Sequence, residues 1–168
     1  KRLPVKDGGG NGSARTAVLN TYLPAGPNNI GGRTRALAYD VRYNGTSNLV
    51  IIAGSVSGGI FKTADGGANW ARVSPADEIH NVTTLVQDPR PGFQDTWYAG
   101  GGEQWGNSAN ENGAGYNGFG IYKSIDNGNT WSRLPLNTIT DINGTVLGGG
   151  TLEAFDNPFD FVHKMAIN

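Results

Sequence analysis

Apolar residues along this chain come in short runs broken by glycine, asparagine and aspartate, and no stretch keeps a helical period for several turns. The longest uninterrupted run, Leu49-Val-Ile-Ile-Ala53, is the length of one strand. The pattern predicts two sets of four short strands. The first set covers 34–40, 48–53, 59–63 and 70–73; the second covers 82–87, 96–99, 119–124 and 131–134.

The two sets are copies of one unit. Gly59-Ile-Phe-Lys-Thr-Ala-Asp-Gly-Gly-Ala-Asn-Trp70 aligns without a gap on Gly120-Ile-Tyr-Lys-Ser-Ile-Asp-Asn-Gly-Asn-Thr-Trp131, an offset of 61 residues from Asp65 to Asp126. Upstream, Ile51-Ile-Ala-Gly54 matches Trp97-Tyr-Ala-Gly100, and Arg35-Ala-Leu-Ala-Tyr-Asp40 matches Thr83-Thr-Leu-Val-Gln-Asp88. A third copy begins at Val162-His-Lys-Met-Ala-Ile-Asn168. Four strands per unit, repeated at a period of roughly 40–50 residues plus insertions, predict an all-β fold of β-propeller blades built from four-stranded antiparallel sheets. A sandwich has similar strand spacing but no repeated turn chemistry.

Composition supports many chain reversals. There are 27 glycines, one methionine and 16% charged residues, and glycine and asparagine supply the positive-φ positions of tight turns. The net charge of −1 gives no basic field for nucleic acid. No run approaches the roughly 20 apolar residues of a membrane-spanning helix. Cysteine is absent, which removes disulfides and thiolate chemistry. Sequons at Asn11, Asn44, Asn81 and Asn143 are what an Asn- and Gly-rich chain produces by chance. The chain has no initiator Met or leader, so Lys1 reads as the start of a processed or excerpted chain.

The segments Thr63-Ala-Asp-Gly-Gly-Ala-Asn-Trp70 and Ser124-Ile-Asp-Asn-Gly-Asn-Thr-Trp131 resemble the Asp-box, or BNR repeat, Ser/Thr-x-Asp-x-Gly-x-x-Trp. These residue types suit a turn staple. Asp65 and Asp126 can accept hydrogen bonds from turn amides, and the Thr63 and Ser124 hydroxyls add another partner. Gly67 and Gly128 allow the left-handed residue, and Trp70 and Trp131 pack over the turn. The resemblance implies a structural box on the hairpin of a blade's third and fourth strands, away from the ligand face. More widely, the chain from about Gly26 resembles secreted bacterial propellers similar in fold to the sortilin ectodomain, sialidases and xyloglucanases. That fold carries many functions.

A sialidase-like site needs an arginine cluster, because the guanidinium fork grips a carboxylate with two hydrogen bonds. The family's first arginine lies in Arg-Ile-Pro, whereas this chain has Gly32-Arg33-Thr34. A xyloglucanase-like site needs two opposed carboxylates. Asp40 and its counterpart Asp88 read instead as strand-end caps. The most informative unrepeated segment is the insertion over 101–118, expected to overhang the central opening. Its Glu103, Trp105, Asn107, Asn110 and Glu111 are candidates for a sugar platform or an oxygen-rich calcium site. Arg33 is a candidate for the same face. The alternative is a polar surface loop with a solvated arginine. His80 and His163 are isolated and read as packing or surface residues. No catalytic residue and no cofactor is assigned, with calcium left open.

The expected organisation is a tail or linker over 1–25, with a ring-closing strand candidate at 15–23. A first blade follows over 26–80, a second over 81–161 and the start of a third over 162–168. Two blades and a fragment cannot close a ring, since propellers have typically four to eight blades. The remaining blades are therefore expected in the same or another chain, as partners. The functional reading is a non-catalytic binding or interaction module of a secreted or cell-surface bacterial protein, with a glycan or protein ligand. Two alternatives stand beside it: the N-terminal part of a glycan-processing hydrolase whose catalytic residues lie further on, or a structural repeat of an adhesin or secretion-system cargo. Catalysis is undecided by the residues present, which lean against it.

Overall fold

Each repeat folds into its own antiparallel sheet. The computed structural model describes residues 33–75, 81–103, 118–135, 143–146 and 159–168. Strands β1 (Thr34–Tyr39), β2 (Ile51–Ser55), β3 (Gly59–Thr63) and β4 (Ala71–Arg72) form the first sheet in the order β1-β2-β3-β4. Strands β5 (Val82–Gln87), β6 (Trp97–Gly101), β7 (Ile121–Ser124) and β8 (Ser132–Arg133) form the second in the order β5-β6-β7-β8. Both are simple meanders, and no helix occurs among the described residues. The expected strand at 15–23 and most of the insertion lie outside them.

The sheets pack face to face, β5 lying against β1 and β2. The core is the layer between them: Ala36, Ile52 and Ile60 from the first sheet, and Val82, Trp97, Ala99, Tyr122 and Trp131 with the second. Close approach is possible because Gly54 has no side chain; a Cβ there would lie 2.4 Å from Val82 Cγ1. The contact recurs one repeat later, where a Cβ on Gly100 would lie 2.6 Å from Val162 Cγ1. Val162 thus takes against the second sheet the place that Val82 takes against the first. Successive four-stranded meanders stacked face to face are the blades of a propeller, and the chain is all-β in that sense.

Register carries one irregularity per blade, at the same repeat position. The β1/β2 pairing slips between Thr34 and Ala36, and β5/β6 slips between Val82 and Thr84. Arg35 and Thr83 are therefore the bulged residues, and a bulge turns its side chain out of the regular alternation. Both reach forward across the repeat. Arg35 approaches Glu103 beyond β6, and Thr83 Oγ1 donates to the Val162 carbonyl at 2.7 Å.

Candidate functional site

The meander sorts the chain's chemistry onto two opposite ends. At one end are the starts of β1 and β5, the ends of β2 and β6, and the Gly102-Glu103 segment. At the other are the β1–β2 and β3–β4 connections, with both copies of the repeated turn.

The turn end is built from carboxylates closed on themselves. Thr63 Oγ1 donates to Asp65 Oδ1 at 2.6 Å and accepts the Gly67 N–H at 3.0 Å. Asp65 in turn accepts the Asn69 backbone and side-chain N–H groups. The second copy repeats this with Ser124, Asp126 and Gly128, and Asp126 accepts the amides of Asn129 and Thr130 and the Thr130 hydroxyl. The indoles of Trp70 and Trp131 each donate to the carbonyl of the turn glycine, Gly67 or Gly128, at 3.1 Å. Hydrogen bonds led by Thr63 hold Asp65 well below the usual carboxylate range. Burial would raise Asp126, but Thr130 and Ser124 outweigh it and bring it to about 2. Trp131 is buried against the first blade, whereas Trp70 is only half-buried.

The second turn also ties the blades together. Asn127 stands at the repeat position of Gly66 and keeps the left-handed backbone, with φ of 57° against 75° for Gly66. Its side-chain amide donates to Asp40 Oδ2 of the first blade at 2.9 Å and accepts the indole N–H of buried Trp97 at 2.8 Å. Its carbonyl accepts the Lys62 ammonium at 2.7 Å. Asp40 is wholly enclosed and also receives Arg42 through backbone and side chain, and Gln87 Nε2. Burial alone would raise its pKa; the Arg42, Gln87 and Asn127 donors win and hold it well below the usual range. A carboxylate so saturated is a cap and an inter-blade anchor, with no lone pair left for acid or base work. Asp88 repeats the cap with Arg90.

The opposite end holds the candidate ligand surface. Glu103 is fully buried, and two arginines of the first blade converge on it. Arg33 Nη2 donates to Glu103 Oε2, and Arg35 Nε lies 3.3 Å from Oε1. The arginine side chains remain 42% and 44% exposed while Glu103 is 1% exposed. Sequence placement is local: Arg33 immediately precedes β1, Arg35 is thrown out by the bulge, and Glu103 follows Gly102. Gly102 is needed where it stands, since φ is +92° and a Cβ would lie 1.9 Å from the Asp160 carbonyl oxygen. Two guanidiniums against one carboxylate leave a net positive rim whose outward donors can grip a carboxylate or sugar hydroxyls. The enclosed Glu103 orients the arginines and is shielded from a substrate.

Of the residues singled out from sequence, Arg33 and Glu103 are brought together; Trp105, Asn107, Asn110, Glu111 and His80 lie outside the described residues. His163 is exposed and stacks on Phe161. No three His, Asp or Glu side chains gather into a metal-binding group among the described residues. No helix among them is long and apolar enough to cross a membrane. Sequence reasoning missed Arg35, which only the bulge directs to Glu103. It also missed Asn127, whose signal was an asparagine at a glycine position in an otherwise matching turn.

No family model matches the chain, and no curated protein does. Among solved structures it is similar to the GH74 enzyme of Niastella koreensis, with 25% identity and a TM-score of 0.38, over 60% of this chain and 14% of that one. It is also similar to an ancestral GH74 enzyme, with 23% identity and a TM-score of 0.41, over 60% of this chain and 12% of that one. The chain therefore spans about an eighth of the length of these structures.

Proposed function

We propose that the chain is part of an Asp-box propeller of a secreted or cell-surface protein, completed by further blades, that binds a ligand without catalysis at the end where its inner strands begin. The observation that carries this reading is the Arg33–Glu103–Arg35 cluster. Two half-exposed guanidiniums from one blade are oriented by an enclosed carboxylate from the next, so the site exists only when the blades are assembled. Its chemistry suits an anionic group or a hydroxyl-rich glycan. Glu103, Trp105 and Asn107 belong to one segment, and the indole would add a sugar-stacking surface.

A glycan-processing hydrolase is the second reading. It requires a pair of reachable carboxylates, and among the described residues Asp40 and Asp88 are capped by arginine while Glu103 is enclosed. That reading therefore places its catalytic residues elsewhere in the complete ring. Calorimetric titration with oligogalacturonate, neutral xyloglucan oligosaccharides and an acidic peptide separates the readings. Binding without product release, weakened about ten- to a hundredfold by Arg33→Ala, supports the binding module. Release of shortened sugars, or binding indifferent to Arg33, overturns it.

A further inference from the structure

The outer face of the second blade repeats, residue for residue, a face that is covered in the first. Ile52 and Ile60 of the first blade are completely buried beneath the second, and Gly128 of its turn sits so close that a Cβ would lie 2.3 Å from Ile52 Cδ1. The matching residues of the second blade, Tyr98 and Ile121, are half-exposed. With Val86, Asp88 and Leu134 they line a cavity of about 400 Å³. Met165, Ala166 and Ile167 already border it, continuing from the Val162 contact on Gly100.

We infer that this face is a docking site for the turn of another blade of the same repeat, latched by a side-chain amide at the position of Asn127. Asp88 is its acceptor, as Asp40 is for Asn127, and Lys123 takes the turn carbonyl, as Lys62 does. The inference rests on the reading that further blades follow, and it adds which residue of the incoming blade is recognised and by what.

Three features of this chain point to that occupant. Asp88 has the same Arg90 cap as Asp40 has from Arg42, but among the described residues it lacks the amide donors that Asn127 and Gln87 bring to Asp40. Lys62 bonds the Asn127 carbonyl and Asn129 Oδ1, whereas the Lys123 ammonium lies over the Tyr98 ring at 5.6 Å. The flanking residues have changed together. In the first interface Gln87 accepts the Val41 N–H at 2.7 Å. At the second, Pro89 stands at the position of Val41 and has no N–H, and Ile167 stands at the position of Gln87. The acceptor has gone where the donor has gone. A second copy of this chain docking through its first blade fits less well, because its turn offers Gly66, which has no side-chain amide.

Amine acetylation followed by peptide mass mapping tests the latch. In the 168-residue chain Lys62 labels about tenfold more slowly than Lys123, because two hydrogen bonds to its nitrogen must break before it reaches the reagent, which outweighs the larger neutral fraction that its burial-lowered pKa gives. In the intact polypeptide isolated from its source, Lys123 slows to the rate of Lys62. Replacing by glycine the amide residue that matches Asn127 in the next turn restores fast labelling. If mapping finds further repeats but Lys123 stays fast, or the glycine variant leaves Lys123 protected, the latch is wrong while the reading of further blades stands. If mapping finds no further repeat, both fail. Protection of Lys123 in the 168-residue chain that grows with concentration identifies a second copy as the occupant and also overturns the inference.

Discussion

Replacing Asn127 with glycine removes one side-chain link between the blades, the bond to Asp40, while leaving the turn able to form. Glycine tolerates the φ of 57° at least as well as asparagine, and Gly66 already occupies the matching place in the first turn. The substitution deletes two interactions: the amide donor to Asp40 Oδ2 at 2.9 Å, and the acceptor for the Trp97 indole N–H at 2.8 Å. Trp97 is fully buried, so its N–H is left without a partner, at a cost of about 1–3 kcal/mol. Asp40 keeps Arg42 and Gln87, so its loss is smaller, about 1 kcal/mol. The expected destabilisation is about 2–4 kcal/mol by urea unfolding, with faster exchange of the Trp97 indole proton. Gly66→Asn serves as the control, because an asparagine at a φ of 75° there finds no Asp40 to bind. A cycle with Asp40→Asn should return a coupling energy above about 0.5 kcal/mol. A loss under about 0.5 kcal/mol for Asn127→Gly, with the indole exchange unchanged, would refute the reasoning.

Three further outcomes follow from the same geometry. Replacing both Arg33 and Arg35 by alanine strands the enclosed Glu103 carboxylate and should cost about 3–5 kcal/mol; adding Glu103→Leu should recover much of it, measured by thermal unfolding. Gly54→Ala drives a methyl into Val82 and should cost about 1–3 kcal/mol, with Val82→Ala relieving part of the clash; an unchanged midpoint would show that the blades are not in close contact there. Asp40, Asp65 and Asp126 all have folded pKa values below their unfolded ones, Asp126 at about 2. Their contribution is therefore full above the unfolded carboxyl pKa, about 4, and drains as pH falls toward 2. Asp126→Asn should flatten that acid limb.

The strands were legible because each is a short apolar run bounded by turn residues, and the repeat confirmed the spacing. Their ends were less so. The run from Asn48 reads as strand, yet β2 starts at Ile51. The Asn44 side chain collects the N–H groups of Thr46, Ser47 and Asn48, and Leu49 accepts the Gly66 N–H across the loop. Trp70 and Trp131 likewise read as strand, but their indoles bond the turn carbonyls and β4 and β8 begin one residue later. At the site, Arg33 and Glu103 were readable as a candidate ligand-face arginine and an unrepeated acidic residue, whereas their pairing across 70 positions depends on how blades stack. Arg35 depends on a bulge, which no residue type announces here. Asp40 was readable as a cap, and Arg42 does close that cap. Its bonds to Gln87 and Asn127 are properties of the interface, invisible to a local pattern.

Heteronuclear NMR of the labelled chain titrated with oligogalacturonate tests the central claim most directly, because it locates a ligand on one end or the other. The account predicts shifts at the Nε–H groups of Arg33 and Arg35 and at the amides of Gly101, Gly102 and Glu103, with Asp65, Asp126 and Asn127 unmoved. Shifts confined to the turn end, or none with this probe, neutral xyloglucan oligosaccharides or an acidic peptide, would contradict it.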